Sequence, residues 1–571
     1  MEKRLVTFIA CLFLSLGMAL AQTRVTGTVV SAEDGEPVIG ASIKVLGTNT
    51  GTVTDADGNF QLNVAKGAEL EISYIGMETK RVAVKGNTLN IRLENGDHSL
   101  DEVMVVAYGT EKKSAFTGSA AVVGSDEIGK VQVTNPVDAL KGKASGVQIY
   151  TASGAPGSTP TIRIRGVNSI EAGKDPLIVV DGSPYDGSLN DINPIDVESM
   201  TVLKDAASTA LYGARGGNGV ILITTKSAKK GKDATITFDA KWGSNSRATP
   251  FYKTINTTAG YYEAWYNGLY NYAQNYFGFD NTKAWQWANN HLIEAGQAQL
   301  SYGLGYNVYT VPDGQMLIGQ NGKLNPNATL GSYVTNNGTT YFLTPDNWQD
   351  ATYNNSLRQE YTFSASGSTD KSNFYASVNY LSNDGITVAS DYKRLTARLN
   401  ADYQAKSWLK LGGNMSYAHY NRNYLGNDGD GGSVGNVFST TYIAPIYPIY
   451  LRDAAGNIIY NEDAKINSYD YGDGKVNGLV RPYMNGGNPL SDNLVNENNT
   501  EGNVLNATGT AEVRLPYGFK FTSINNVYLN EFRYTNAVNP WFGQYANNGG
   551  TISKEHDRTW SFNYQQRINW H

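Results

Sequence analysis

The chain has 571 residues, and its 46 Lys and Arg against 52 Asp and Glu leave a net charge of -6. Non-specific nucleic-acid binding depends on clustered positive charge, so this balance argues against a nucleic-acid partner. Cys11 is the single cysteine, which excludes an internal disulfide and a zinc site built from several cysteines. No apolar run of about eighteen residues follows residue 21, so a membrane-embedded part would have to be a β-barrel.

Residues 1–21 predict a secretory signal peptide. Lys3 and Arg4 precede an apolar run over residues 5–20, and residues 19–21 fit the small-x-small cleavage rule. That run is shorter than the roughly twenty residues that span a bilayer. The mature chain is expected to begin near Gln22, outside the cytoplasm.

Residues 22–96 predict a small β-sandwich, because short alternating runs are separated by turn-forming segments. The segment TDADGNF carries a resemblance to the carboxypeptidase-regulatory-like domain, in which such a Gly-containing turn closes a hairpin. Asp55 and Asp57 could also be read as part of a calcium loop. No bidentate Glu follows at the required spacing, which favours a plain turn.

Residues 97–114, DHSLDEVMVVAYGTEKKS, predict a polar linker around an apolar, β-prone run. A tethered, unpaired strand of this kind can join the sheet edge of a partner; the alternative is one more strand of the neighbouring domain. The run resembles the TonB box of SusC-type receptors, which has the form DEVVVVGYGT. The resemblance implies that TonB binds Asp101, Glu102, Val103, Met104, Val105, Val106, Ala107, Tyr108 and Gly109.

Residues 115–230 mix helical and strand patterns and resemble the plug domain of TonB-dependent receptors in TPTIRIRGVNSI, DPLIVVDGSPYDG and IDVESMTVLKDAASTALYGARGGNGVILITTK. The last motif predicts a strand over residues 195–203, a helix over 205–211 and a strand over 220–225. A dinucleotide loop is rejected, because its glycines follow a strand and open a helix, which is the reverse order. The signature residues implied are Arg163, Arg165, Gly166, Asp181, Gly182, Lys204, Asp205, Tyr212, Gly213, Arg215 and Gly219.

Residues 231–571 alternate apolar and polar positions with period two, as in Leu395, Leu399 and Tyr403 against Arg394 and Arg398. Long links over 243–356, 421–502 and 535–555 alternate with short ones, which is typical of an outer-membrane barrel. About eight strands, each of about nine to eleven residues, are expected.

A barrel that encloses a plug needs about 22 strands. We therefore expect the given chain to hold the first part of the barrel, with the remainder beyond residue 571. The predicted fold class is mostly β: signal peptide, β-sandwich, α+β plug, then the first part of an antiparallel transmembrane barrel.

No catalytic pattern stands out, and the protein is predicted not to be an enzyme. The histidines are scattered through the sequence without metalloprotease spacing, and no nucleophile elbow is present. No cofactor is expected, although Asp428 and Asp430 could bind calcium weakly; a solvated turn is favoured there because the rest of a calcium loop is lacking.

The resemblance implies import of an oligosaccharide or an oligopeptide across the outer membrane. TonB would couple this import to an inner-membrane ExbB-ExbD motor, and a SusD-like surface lipoprotein would act as a lid. Outer-membrane lipid would surround the barrel, and the N-terminal domain would be periplasmic. The alternative is a surface binding protein or adhesin without energised transport.

Aromatic residues of the first long loop suit glycan stacking, the membrane interface or lid contacts, and no substrate residue is chosen among them. They are Tyr261, Tyr262, Trp265, Tyr266, Tyr270, Tyr272, Tyr276, Trp285 and Trp287.

Overall fold

The computed structural model describes residues 22–32, 35–48, 50–65, 67–74, 77, 79–84, 86–94, 103–106, 109–112, 119–151, 154–166, 173–228, 234–294, 302–425 and 437–570. The predicted signal segment lies outside them. The chain divides into two compact units, Met1–Ser119 and Ala120–His571. In the described ranges no helix combines the length and the apolar character needed to cross a bilayer.

The first unit contains a β-sandwich. Its strands are β1 (Gln22–Ser31), β2 (Ser42–Val45), β3 (Gly51–Val53), β4 (Asn59–Ala65), β5 (Glu69–Ser73), β6 (Lys80–Ala83) and β7 (Thr88–Leu93). One sheet has the order β4-β1-β7 and the other β3-β2-β5-β6. Alternate residues such as Phe60, Leu62 and Val64 of β4 face the core between the sheets. The predicted sandwich is confirmed.

Asp55 closes the turn before β4. Its Oδ1 atom accepts the backbone N–H groups of Asp57 at 3.0 Å and Asn59 at 2.8 Å. Gly58 has a φ of +74, in the left-handed region that glycine adopts without strain. The carboxylate is thus used by the turn itself, in agreement with the turn interpretation.

A separate hairpin follows the sandwich. Strand β8 (Val103–Val106) pairs antiparallel with β9 (Gly109–Lys112), and Val106 lies opposite Gly109. Within the described part of this unit, neither strand joins a sheet of the sandwich.

The second unit begins with a plug-like α+β region. Its elements are β10 (Ala120–Gly124), α1 (Ser125–Gly129), β11 (Val147–Tyr150), β12 (Thr161–Ile164), β13 (Leu177–Val180), β14 (Ser183–Pro184), β15 (Val197–Leu203), α2 (Ala206–Thr209) and β16 (Val220–Thr225). The sheet order is β10-β15-β16-β13-β14, and β11 pairs with β12. Short 3₁₀ helices cover Pro136–Leu140, Leu189–Asp191, Pro194–Asp196 and Ala210–Gly216.

Two boundaries differ from prediction here. The strand expected from residue 195 begins at Val197, because Pro194 starts a 3₁₀ turn capped by the Asn193 side chain. The helix expected over residues 205–211 is α only over Ala206–Thr209, after which it continues as a 3₁₀ helix interrupted at Gly213, whose φ is +61. The strand over residues 220–225 is where it was expected.

The rest of the unit holds long strands and elaborate loops. Its strands are β17 (Thr235–Asn245), β18 (Tyr309–Thr310), β19 (Thr329–Leu330), β20 (Ser332–Asn336), β21 (Thr339–Leu343), β22 (Ser356–Ser368), β23 (Ser372–Asp384), β24 (Asp391–Lys406), β25 (Leu409–Asn423), β26 (Tyr460–Asn461), β27 (Ile466–Asn467), β28 (Glu497–Arg514), β29 (Phe519–Val538) and β30 (Thr551–Trp570). The helices are α3 (Thr258–Phe277), α4 (Asn281–His291), α5 (Trp348–Thr352) and α6 (Pro489–Val495), with 3₁₀ turns at Val437–Tyr442, Pro516–Gly518 and Ala546–Asn548.

Among the described residues, eight of these strands form one antiparallel sheet in the order β17-β22-β23-β24-β25-β28-β29-β30. Strands β17 and β30 are its two edges and do not pair with each other, so the sheet is open. The expected number of strands and their antiparallel pairing are confirmed.

Strand lengths correct the prediction. The sheet strands run from 11 residues in β17 to 20 in β29 and β30, whereas about nine to eleven were expected. Pairing of β29 with β30 continues from Phe519↔Trp570 to Val538↔Thr551, so main-chain groups stay hydrogen-bonded well past that length. For this reason the third long link shrinks to residues 539–550, while links 246–355 and 424–496 remain long.

The large sheet exposes apolar side chains on one face and buries charged side chains on the other, which is the opposite of the usual arrangement in a soluble protein. On β24, Leu395 and Leu399 are 41% and 44% exposed, whereas Arg394, Thr396 and Arg398 are 1%, 5% and 7% exposed. Because β side chains alternate between faces, the apolar set points away from the protein and the charged set points toward the plug-like region.

Candidate functional site

The contact between the plug-like region and the inner face of the large sheet contains several buried charged groups, among them Asp196, Arg394 and Arg398; we name it the plug–sheet contact. Its central group is Asp181, at the tight turn between β13 and β14. Asp181 and Gly182 both have positive φ, +47 and +83, which matches a two-residue hairpin turn. This turn carries the Asp181 carboxylate to the edge of the plug-like sheet.

Asp181 joins the two parts of the unit. Its carboxylate accepts the backbone N–H of Thr225 at 2.9 Å and the Thr225 hydroxyl at 2.8 Å, both within the plug-like region. From the large sheet, Arg398 Nη2 donates to Asp181 Oδ2 at 2.6 Å, and the Asn414 side-chain amide donates to the same oxygen. Nearby, Gln565 of β30 donates to the Gly182 carbonyl at 3.1 Å.

A second link is made by Asp196, which ends the 3₁₀ turn before β15 and is 3% exposed. It accepts hydrogen bonds from the Tyr375 hydroxyl at 2.8 Å and from the Ser377 hydroxyl at 2.6 Å. Both donors project inward from β23. Charge-assisted bonds of this kind are stronger than neutral ones, so they fix position well.

A third link involves Arg394 of β24, which is fully buried. Its Nη1 donates to the carbonyl of Thr134 at 2.9 Å and to the carbonyl of Asn190. The neighbouring Asp191 carboxyl lies 3.4 Å from the Tyr185 hydroxyl. Burial raises the pKa of Asp191 to about 7, although the positive charge of Arg394 acts in the opposite direction.

These links give the interface a specific chemical character. They are hydrogen bonds and ion pairs to side chains and carbonyls, accompanied by a few apolar contacts such as the edge-to-face rings of Tyr185 and Tyr528, 5.5 Å apart. A polar interface can exchange its hydrogen bonds for bonds to water, so separating it costs less than exposing an apolar core of the same size. The arrangement therefore suits an interface that holds the plug-like region in place yet can release it.

The predicted plug signature residues do not form one site. Asp181 and Gly182 lie at the plug–sheet contact, whereas Arg163 pairs with Asp175 at 2.6 Å and Arg215 with Asp186 at 2.5 Å near the surface.

The remaining signature residues shape the backbone or make local contacts. Asp205 caps α2 by accepting the Ser208 N–H at 2.8 Å, and Tyr212 and Gly213 lie in the following 3₁₀ helix. Lys204 donates to the Ser145 hydroxyl at 3.2 Å, and burial followed by the positive charge of Arg165 lowers the pKa of Lys204.

Glycine is required at Gly219, where an added Cβ would lie 2.8 Å from Ile164. Arg165 and Gly166 turn the chain after β12 with φ of +55 and +104. These positions serve the fold of the plug-like region.

Sequence reasoning did not select Asp191, Asp196, Tyr375, Arg394 or Arg398 as site residues. For Arg394 and Arg398 a signal was present, because charged residues repeat on the polar face of the long alternating strand β24; in the sequence, a face exposed to solvent and a face that contacts the plug-like region have the same pattern. Only the folded structure distinguishes these two cases, because it shows the plug-like region against that face of the sheet.

The predicted TonB box lies partly within the described residues. Val103, Met104, Val105 and Val106 form β8, and Gly109 begins β9. Asp101, Glu102, Ala107 and Tyr108 lie outside the described residues, as do Asp428 and Asp430 of the calcium hypothesis. In the described ranges no group of three or more His, Cys, Asp or Glu residues is arranged to hold a metal ion.

The aromatic residues of the first long loop divide into buried and accessible ones. Tyr262 and Tyr266 are buried in a core shared by links 246–355 and 424–496, where the Tyr262 hydroxyl donates to the Tyr306 carbonyl at 2.6 Å. Tyr276 is 72% exposed and stacks on Tyr272 at 5.0 Å. The rings of Tyr262 and Tyr266 are therefore packing groups and are not available to a ligand.

The remaining aromatic residues of that loop are half-buried or lie at the edge of the same core. Trp265 donates to the Tyr302 carbonyl and Trp285 to the Ile318 carbonyl, both at 2.8 Å. Others that pack against the core are Tyr261, Tyr270 and Trp287.

Comparison with known proteins identifies families that parts of this chain match. Residues 112–220 match the family model of the TonB-dependent Receptor Plug Domain, and residues 25–105 match the CarboxypepD_reg-like domain. TonB-dependent receptor SusC of Bacteroides thetaiotaomicron is 32% identical over 456 residues, which cover 78% of this chain and 38% of that protein. TonB-dependent receptor P39 of Formosa agariphila is 31% identical over 450 residues, covering 78% of this chain and 36% of that protein.

Solved structures agree. The RagAB peptide importer in its open-open state aligns with a TM-score of 0.58 at 25% identity over 82% of this chain and 47% of that chain. Its closed-closed state gives a TM-score of 0.56 at 25% identity, over 80% and 46%. The chain thus spans well under half of the length of the curated relatives named above, 38% and 36%. These relatives are receptors and transporters rather than enzymes, and the chain belongs to the SusC/RagA-type TonB-dependent receptors.

Proposed function

We propose that the full-length protein actively imports a bulky nutrient across the outer membrane. The observation that carries the proposal is the inverted sheet: an apolar outer face suited to lipid, and a charged inner face that holds a plug-like region through the Asp181, Asp196 and Arg394 links. A soluble binding protein has no use for an apolar outer face, and a passive pore has no use for a plug.

The energy for import would come through TonB. Strand β8 pairs with β9 alone among the described residues, and it belongs to a short hairpin outside the sheets of the sandwich. Main-chain groups on its other edge are suited to pairing with a partner strand. We propose that TonB, driven by the ExbB-ExbD motor, takes this segment and that tension loosens the polar plug–sheet contact.

Further assignments follow from the same proposal. Residues 1–21 would be removed as a signal peptide, the sandwich would lie in the periplasm, and outer-membrane lipid would surround the sheet. A SusD-like lipoprotein would cover the long loops. An oligopeptide is supported by the similarity to the RagAB peptide importer. An oligosaccharide is the other substrate class that we propose, because the sequence motifs resemble those of SusC-type receptors.

Deletion of Val103–Val106 in the full-length receptor tests the proposal. Uptake of the nutrient and growth on it should be lost, because TonB would have no strand to pair with, while the amount of receptor in the outer membrane should stay the same. Growth of a knockout on a panel of glycans and peptides identifies the nutrient to be used.

A matched control replaces residues 110–112 of the partner strand by three serines, which changes the hairpin without altering the predicted TonB box. That variant should retain more uptake than the deletion. Unchanged uptake in the deletion variant would reject energised transport and favour the alternative, a surface binding protein or adhesin.

A further inference from the structure

The outward face of the large sheet changes from apolar to charged along one line that crosses β25, β28, β29 and β30. The last apolar row of paired residues consists of Tyr417, Leu505, Leu529 and Trp560. Val504 and Tyr528, next to two of them in the chain, pack against the plug-like region, so the row faces outward. The next outward row, nearer the long links, consists of His419, Asn503, Glu531 and Arg558.

Positive side chains collect beyond this line on β29 and β30. In the two rows that follow, Arg533 lies opposite His556, and Lys554 takes the outward position of β30 in the second. Together with Arg558 these residues form a surface that we name the outer cationic patch. Its members lie on the same face of two paired strands, so one ligand can contact several of them.

In the outer-membrane placement proposed above, the patch lies at the height of the lipid headgroups. On β30 the outward positions from residue 560 to residue 570 are apolar or aromatic, with the exception of Gln566. About ten residues at about 3.3 Å each, on a strand tilted by about 40°, cover about 25 Å, which is the usual height of a lipid-facing apolar band. Arg558 is the next outward residue, so the patch begins where the hydrocarbon ends.

The long links identify the leaflet. The patch is at the end of the sheet where links 246–355, 424–496 and 539–550 connect the strands, whereas the opposite end has short turns such as 407–408. Outer-membrane barrels have their long loops outside the cell and their short turns in the periplasm. The patch therefore faces the outer leaflet.

One carboxylate holds three members of the patch in place. Glu531 accepts hydrogen bonds from Arg558 Nε at 3.1 Å and Nη2 at 2.8 Å, and from Arg533 Nη2 at 3.2 Å. His556 Nε2 lies 3.2 Å from the same carboxylate. The Glu531 side chain is 15% exposed, whereas those of Arg533 and Arg558 are 60% and 52% exposed. The negative charge thus lies below the surface, and the positive groups form the surface itself.

The patch has more hydrogen-bond donors than Glu531 uses. A guanidinium carries five N–H donors, and in the contacts with Glu531 Arg558 uses two of its nitrogens and Arg533 one. Lys554 adds a further positive charge one row further out, where the residue opposite it is Thr535. Donors therefore remain for an anion on the outward side.

Acidic neighbours do not cancel the positive charge. Glu501, the outward residue of β28 opposite Arg533, has its carboxylate 4.0 Å from His419, on the side toward β25. On β30, Glu555 and Asp557 alternate with the patch residues and so project to the other face of the sheet. The outward charge of this part of β29 and β30 is therefore positive.

A phosphate monoester at the end of a lipid matches this surface. Arginine binds phosphate through two parallel N–H···O bonds, and a phosphate monoester carries a charge of about −1.5 to −2 near pH 7. A phospholipid diester carries one charge and uses fewer of the donors. Acyl chains of a lipid would also cover the apolar row at Leu529 and Trp560, whereas a water-soluble anion would gain nothing from it.

We propose that the outer cationic patch binds a phosphate monoester of a glycolipid in the outer leaflet, of the lipid A type. Arg533 and Arg558 are its main partners, Lys554 adds charge, and the acyl chains lie on Leu529 and Trp560. The inference rests on the outer-membrane location that belongs to the proposed function, and it adds a specific lipid to the general lipid contact.

Native mass spectrometry of the full-length receptor in a mild detergent tests the proposal, after a chelator has removed divalent cations. The probes are bisphosphorylated lipid A, lipid A from which both phosphates have been removed, and phosphatidylglycerol. Bisphosphorylated lipid A should bind at least about tenfold more tightly than either of the other two, because only it presents phosphate monoesters.

Variants connect the binding to the patch. Arg558→Gln and Lys554→Gln should each weaken bisphosphorylated lipid A about fivefold, and Arg533→Gln combined with Arg558→Gln about twentyfold or more. Lys554→Gln leaves the bonds to Glu531 in place, so it reports on the patch even where loss of the arginines impairs folding. Lys465→Gln is the matched control, because it removes a 74% exposed cation of a long link away from the patch, and it should leave binding unchanged.

Several results would overturn the proposal. They are equal affinity for lipid A with and without phosphates, tighter binding of phosphatidylglycerol, and unchanged affinity in both Lys554→Gln and the double variant. Binding that appears only when calcium or magnesium is added back would assign a metal bridge in place of the side chains. Failure of this inference is distinct from failure of import, because deletion of Val103–Val106 should abolish uptake and leave lipid binding intact.

Discussion

Burial changes the chemistry of single charged groups at the plug–sheet contact. Asp191 illustrates the effect, because its carboxyl is enclosed where the plug-like region meets β24, and the positive charge of Arg394 does not fully offset the loss of hydration. The result is a group whose protonation changes near neutral pH.

The raised pKa of Asp191 predicts that the folded receptor becomes less stable as pH rises. The protonated form is favoured in the folded state, so this contribution is complete below the unfolded pKa of about 3.9 and is lost as pH rises through about 7. The thermal midpoint of the full-length receptor should therefore fall between pH 5 and pH 8.

Asp191→Asn, which stays neutral, should remove that part of the pH dependence. Asp453→Asn is the control, because hydrogen bonds from Asn457 lower the pKa of this exposed loop carboxyl and its titration lies at acidic pH. Identical pH profiles for wild type and Asp191→Asn would contradict the assignment.

At the scale of elements, β24 shows how one strand serves two environments. Its odd positions around Leu395 and Leu399 are apolar and exposed, and its even positions, including Arg394 and Arg398, are charged and buried. The alternation could be predicted from the sequence. Which face of the strand is enclosed could not, because a period of two residues is the same whichever face is enclosed.

Leu399→Arg tests that direction. If the outer face meets lipid, the change should cost about 2–4 kcal/mol near the bilayer midplane and reduce the folded receptor recovered from the outer membrane. Leu46→Arg is the matched control: Leu46 is 39% exposed in the sandwich, and there the change should stay within about 0.5 kcal/mol. Equal recovery of both variants would indicate that the outer face of the sheet is in water.

Shorter elements were harder to anticipate than β24. The helix expected over residues 205–211 has an Asp205 cap, as its composition suggests, yet it tightens to 3₁₀ geometry and breaks at Gly213. Propensity marks where such a helix starts, whereas its length depends on packing against neighbours.

For the molecule as a whole, the decisive feature is that the plug-like region sits against the inner face of the sheet through charged links. The Asp181–Arg398 pair is 18% and 5% exposed, and the Asp186–Arg215 pair is 49% and 55% exposed. Removal of one partner from a buried pair leaves an uncompensated charge, whereas an exposed charge is solvated by water.

Arg398→Ala in the full-length receptor is therefore expected to destabilise the seated plug by about 3–5 kcal/mol. Arg215→Ala, the matched control, should cost less than about 1 kcal/mol. Thermal unfolding and limited proteolysis of the plug-like region measure both, and equal effects of the two variants would contradict the role given to the buried pair.

The sequence by itself determined the order of parts, the sandwich, the strand alternation and the TonB-box resemblance, because these depend on local patterns: turn residues, period-two hydrophobicity and short motifs. It also indicated which links are long. Tertiary structure alone decided which face of the sheet is enclosed, that Tyr262 and Tyr266 are core residues, and that Asp181, Asp196 and Arg394 connect the plug-like region to the sheet. Such contacts join residues about 180 to 260 positions apart, and no local sequence pattern shows which distant side chains come into contact in the folded chain.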